Sequence, residues 1–148
     1  VYKQGKEYYD KLQAVNNLVK DARKVQQTVL LVGDVSEMYV TNFGKMMNDP
    51  NFSAQELAAI SNGYSALLNE STELLKELKQ IVTSSSLSLN DKERMDIIDR
   101  VYKEVKEYHS LVRYYTNKNI SVSILRAKKQ NNTKRVLDLY GTPNQKYW

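Results

Sequence analysis

Large apolar residues recur along this chain at intervals of three and four, and the pattern is clearest between residues 53 and 82. Leu57, Ile60, Tyr64, Leu67, Leu74, Leu78 and Ile81 follow it, with Ser71 at the one polar step. That is the period of a helix burying one face against partner helices. Leu68, Leu75 and Val82 widen the stripe beyond the seam of a two-stranded coil. Ser53 and Glu56 supply a capping box at its start. A helix of this kind in mid-chain needs a neighbour on each side.

Upstream, residues 1–47 read as one very long helix, or two in series. The stripe is Val15, Leu18, Ala22, Val25, Val29, Val32, Ser36, Tyr39, Phe43 and Met46. Straight, about 45 such residues would reach roughly 68 Å. The weak points are Asn16-Asn17 and the β-branched patch ending at Gly33. A short buried strand over 28–32 is the rival reading. The three-four pattern passes through the patch without a change of phase, which favours the helix, with Gly33 as a close-packing point or slight bend. Pro50 in Asn48-Asp49-Pro50-Asn51 stops this helix at or before Asp49. The turn is short, so the first two helices should be antiparallel neighbours.

The second helix should end near Val82, followed by a small polar loop, TSSSLSL. Asn90, with Glu93 three residues on, opens a third helix. Its stripe is Ile98, Val101, Val105, Tyr108, Val112 and Tyr115, prolonged through Asn119, Val122 and Arg126. The segment NKNISVS, residues 117–123, forms helix poorly and invites a kink or an end. The stretch ILRAKKQNNTKRVLDLYG either continues the third helix or restarts as a last one after Asn131-Asn132. Gly141 and Pro143 terminate it, leaving an irregular tail. The expected fold is all-α: an elongated antiparallel bundle of three long helices, with a short fourth C-terminal helix as an option. Residues 1–130 would form the bundle domain, and 131–148 a basic polar tail or short helix.

Composition agrees with few, long elements. The 148 residues include only 5 Gly and 2 Pro, too little punctuation for a many-turned sheet protein. Eleven Tyr stand against 2 Phe and 1 Trp, a bias that suits a thin bundle whose core residues lie near solvent. Cysteine is absent, which excludes disulfides and thiol chemistry and leaves the compartment open. No apolar run is long enough to span a membrane.

Charge changes the picture at one end. The net charge is +5, yet from residue 113 onward there are eight basic residues and one acid, Asp138. Arg126, Lys128, Lys129, Lys134 and Arg135 form the cluster, with Tyr140, Tyr147 and Trp148 nearby. Basic residues beside aromatics can hold a nucleic-acid backbone and stack bases. They can equally meet a protein or anionic headgroups, or simply keep a tail soluble. Tyr114 and Tyr115, with Tyr108 and Val112, add a candidate assembly surface, because tyrosine is favoured at interfaces. The candidate binding surface is therefore Arg126, Lys128, Lys129, Lys134, Arg135, Tyr114 and Tyr115.

Catalytic candidates are few. His109 is the one imidazole and reads as a boundary residue rather than a base. Glu70, Glu73 and Glu77 share a helix face, but a carboxylate metal bundle needs Glu-x-x-His partners that this chain lacks. No glycine-rich phosphate loop is present. No catalytic, cofactor or metal residues are assigned, and the chain is expected not to be an enzyme.

The run NDPNFSAQELAAISNGYSALLNESTELLKELKQIVTSSSLSLNDKERMDIIDRVYKEV resembles the TrbJ-like conjugal-transfer proteins of Bacteroides-type conjugative transposons. FSAQELAAISNGYSALL and TSSSLSLNDKERMDII carry most of the likeness, which spans residues 15–140. It is one of overall pattern, without a short signature and without the accessory part seen in that group. The resemblance implies an exported, helical, non-enzymatic component of a type IV secretion apparatus. Such a protein would be periplasmic or on the cell surface, at a pilus tip or aiding pilus assembly. Its partners would be other secretion-apparatus proteins, with self-association also open. It further implies a signal peptide ahead of Val1. A helical nucleic-acid-binding accessory protein using the basic C-terminal region, and a coiled-coil adaptor, are the alternatives.

Overall fold

The computed structural model describes residues 22–83 and 89–141. Those residues form three long helices, α1 (Ala22–Met46), α2 (Ala54–Thr83) and α3 (Asp91–Lys129), and a short α4 (Thr133–Tyr140). No strand occurs among the described residues. The all-α bundle of three long helices with a short fourth is thus what the described residues adopt. Expectations for residues 1–21, for most of the TSSSLSL loop and for the tail after Gly141 lie outside the described residues.

Both capping boxes form. The Ser53 amide donates to Glu56 Oε1 at 3.0 Å, and the Glu56 amide to Ser53 Oγ at 3.1 Å. The Asn90 amide donates to Glu93 Oε2 at 3.0 Å, and the Glu93 amide to Asn90 Oδ1 at 2.8 Å. Each box satisfies two otherwise unpaired amides of a first turn. The strand alternative over 28–32 does not form, and α1 runs through Gly33 unbroken. At the end of α3, Asn131 takes a left-handed φ of 53°. The Asn132 amide then reaches Ala127 O and the Asn131 amide Lys128 O, closing a Schellman motif.

The helices contribute to two compact units. The first takes described residues 22–36, 68–83 and 89–109; the second takes 37–67 and 110–141. In the first, Val25, Val29 and Val32 of α1 pack with Leu75, Leu78 and Val82 of α2 and with Ile98, Val101 and Val105 of α3. Each such side chain removed from water contributes about 1.5–3 kcal/mol. Lys24 pairs with Asp99 at 2.5 Å and Asp34 with His109 at 2.6 Å, so α1 and α3 run parallel here. Arg100 pairs with Glu77, and Arg94 Nη1 donates to Ile81 O at 2.6 Å, so α2 and α3 run antiparallel.

In the second unit, the core is Met38, Met46, Ile60, Tyr64, Val112, Ile120, Ala127, Val136 and Tyr140. Here α3 departs from expectation twice. It does not end over 117–123, because Thr116, Ile120 and Ser123 are buried and packing overrides weak propensity. Asn119 and Ser121 also hydrogen-bond back to the carbonyls of Tyr115 and Asn117 at 2.9 and 2.8 Å. In addition, the buried line is Val112, Thr116, Ile120, Ser123 and Ala127 rather than Tyr115, Asn119, Val122 and Arg126. A strict seven-residue spacing lags a 3.6-residue turn by about 20° per heptad, so the expected stripe drifts off the core.

Candidate interaction surfaces

The structure divides the seven residues singled out above into two sets. Arg126 and Tyr115 are committed to internal contacts. Tyr114, Lys128, Lys129, Lys134 and Arg135 face solvent.

Arg126 grips Glu56 with both guanidinium branches, Nη1 to Oε1 at 2.9 Å and Nη2 to Oε2 at 2.7 Å. The same Nη1 donates to Asn51 O at 2.7 Å. The Arg126 hydrogen bonds, with the Ser53 amide, hold the Glu56 carboxyl well below its usual range, at about 2. The capping box and the ion pair therefore share one carboxylate, which ties α3 to the start of α2. Arg126 is a strut of the second unit.

Tyr115 sits in a cluster of rings. Tyr39 stacks on Tyr64 at 4.9 Å, and Tyr115 meets Tyr64 edge-on at 5.0 Å. Such geometries suit the ring quadrupoles. The polar ends are satisfied. Tyr64 shares a hydrogen bond with Thr116 at 2.6 Å, Tyr39 shares one with Ser61 at 2.8 Å, and Tyr115 donates to Ile60 O at 3.1 Å. Burial raises the Tyr64 and Tyr115 hydroxyls above their ordinary values.

A second polar knot lies at the turn between α1 and α2. Asp49 is buried, and its carboxylate accepts from Ser123 Oγ at 2.5 Å, Tyr140 Oη at 2.6 Å and the Asn51 amide at 2.9 Å. Burial, then the contact with Asp49, raises the Tyr140 hydroxyl. This knot docks α4 on the turn. Beside it lies an open cavity of about 250 Å³, lined by Asn48, Asp49, Asn51, Arg135 and Asp138 among others. Arg135 of the basic cluster thus lies beside a concavity. Asp49 already has three protein donors, so it anchors structure there.

Sequence reading missed the partners of these groups. His109 Nε2 lies 2.6 Å from Asp34 Oδ2, a pairing 75 residues apart that no local signal announces. It also passed over Leu30, Val40, Leu111, Leu125 and Leu137, which stay exposed on the helices, and Met47, exposed just past the end of α1. Their signal was available: these residues fall off the apolar stripes. No group of three or more His, Cys, Asp or Glu able to hold a metal occurs among the described residues. None of the described helices is long and apolar enough to cross a membrane.

Comparisons with family models, curated proteins and solved structures found no match to this chain.

Proposed function

We propose that this chain is a non-enzymatic structural or assembly component of a conjugative type IV secretion apparatus. It acts by helix-to-helix contact with other proteins of that apparatus, in the periplasm or at the cell surface. One observation carries the binding part of the reading. Buried polar side chains such as Asp49, Tyr64 and Ser123 are bonded within the bundle, while large apolar residues are left outside on α1, α3 and α4. Where such side chains share one line, as Leu111, Tyr114 and Leu125 do on α3, they favour a protein neighbour. The placement in a transfer apparatus rests on the resemblance of residues 48–105.

Deleting the gene in a host that carries the element, then measuring transfer frequency, tests the reading. Loss of transfer, restored by the full gene, is expected, with the product recovered outside the cytosol. Unchanged transfer, or a cytosolic product, overturns it.

A second reading, contact with nucleic acid, is favoured by the absence of acids between Glu107 and Asp138. It predicts salt-sensitive DNA binding lost when Lys128, Lys129, Lys134 and Arg135 are replaced together. The commitment of Arg126 to Glu56 counts against it.

A further inference from the structure

Within the second unit, α3 carries two opposed lines. The inner one is Val112, Thr116, Ile120, Ser123 and Ala127, all buried. The outer one is Leu111, Tyr114, Lys118, Ser121 and Leu125, all exposed. At about 100° per residue these lines are centred on opposite sides of the helix. Leu111, Tyr114 and Leu125 are 47%, 64% and 61% exposed.

The outer line changes character along α3. Upstream it runs through Arg100, Lys103, Glu104 and Glu107, with Arg100 and Glu104 paired at 3.2 Å. That is an ordinary solvated face of mixed charge. Beyond Ser110 it becomes leucine, tyrosine and lysine, and ends on exposed Lys128 and Lys129. No acid follows Glu107 until Asp138.

We infer that the outer face of α3 between Leu111 and Lys129 docks an acidic amphipathic helix of a partner protein. The inference rests on the reading that this chain works by binding protein. Leu111, Lys118 and Leu125 are seven apart, as are Tyr114 and Ser121, and seven is the repeat that a packed helix reads. Charge selects the partner. A second copy presenting the same face would set Lys118, Lys128 and Lys129 against their own kind, so self-pairing is opposed. An incoming helix with glutamates or aspartates beside its apolar seam would neutralise them. The apolar residues are too few, and too interrupted by Lys118 and Ser121, to seat in a lipid surface. Two of the three, Leu111 and Leu125, are aliphatic and offer a phosphate backbone no donor.

The test is a titration of the full chain against two labelled synthetic helices of about three heptads each. Both carry leucine at the seam; one has glutamate at the flanking positions, the other lysine. The glutamate helix binds, more weakly as salt rises, and the lysine helix does not. Leu111→Ser with Leu125→Ser weakens the glutamate helix by about tenfold or more. Lys118→Glu with Lys129→Glu reverses the preference, which mere loss of structure would not do. Circular dichroism checks that these exposed substitutions leave the bundle folded. The proposal falls if both helices bind alike, if neither variant alters binding, or if phosphatidylglycerol vesicles or a DNA duplex bind in place of the glutamate helix. Unchanged transfer on gene deletion would refute the secretion reading alone and leave a positive titration standing.

Discussion

Tyr115 of α3 lies so close across Gly63 of α2 that a Cβ at residue 63 would overlap its hydroxyl and ring. The tyrosine hydroxyl uses that gap to reach Ile60 O. A mid-helix glycine ordinarily weakens a helix by about 1 kcal/mol relative to alanine; here its missing Cβ makes the approach of Tyr115 possible.

Gly63→Ala is therefore expected to destabilise the protein by about 1–3 kcal/mol, the range for overpacking a well-packed site. In a Tyr115→Ala background the same change should turn neutral or stabilising. Gly44 is the control. It is in α1 with nothing near its Cβ position, so Gly44→Ala should stabilise by about 0.5–1 kcal/mol. Urea denaturation of the four variants measures all of this. Equal effects at Gly63 with and without Tyr115 would sink the account.

Asp49→Ala leaves the Ser123 and Tyr140 hydroxyls and the Asn51 amide without their acceptor. A loss of about 3 kcal/mol is expected, and of about 2 kcal/mol for Tyr140→Phe. Hydrogen exchange should show α4 opening more readily in both. Protection of Val136 and Tyr140 equal to that of the parent would contradict the assigned anchor role.

The Glu56–Arg126 pair makes stability depend on acid. Glu56 binds its proton less readily in the folded chain than in the unfolded one, with a value of about 2 against 4.5. Its stabilisation is complete above about pH 4.5 and is lost as the pH falls toward 2. Denaturation midpoints taken down that interval should fall, and Glu56→Gln should flatten that part of the decline. An identical acid profile in the variant would show that the pair contributes nothing.

Asn131 closes α3 with a φ of 53°. Asn131→Gly should be neutral or slightly stabilising. Asn131→Ala should cost about 1 kcal/mol, because a Cβ disfavours the left-handed region and alanine has no polar side chain to offset it. Thermal melts of the two variants should separate in that order.

Much of this architecture was legible along the chain, for local reasons. Alternating threes and fours mark helix faces. Ser53 with Glu56 and Asn90 with Glu93 mark starts, and Pro50 and Gly141 mark stops. These signals act within a turn or two, so they survive any tertiary arrangement. The weak segment 117–123 was misread for the complementary reason: its helicity comes from burial of Thr116, Ile120 and Ser123, which propensity cannot register.

The candidate surface was legible only in part. Lys128, Lys129, Lys134, Arg135 and Tyr114 face solvent, as a charge count suggests. Arg126 turns inward to a carboxylate 70 residues away, and Tyr115 to a carbonyl 55 residues away. Outside 117–123, sequence alone determined which stretches are helical and where α2 and α3 are capped at their starts, because those choices depend on neighbours within about four residues. Tertiary structure decided which side of α3 is inside beyond Val112, since a 3.6-residue turn moves a heptad line around the axis over a helix that long. It decided too that Asp49 would find Tyr140, 91 residues on, because only packed helices bring such distant groups within a hydrogen bond's length.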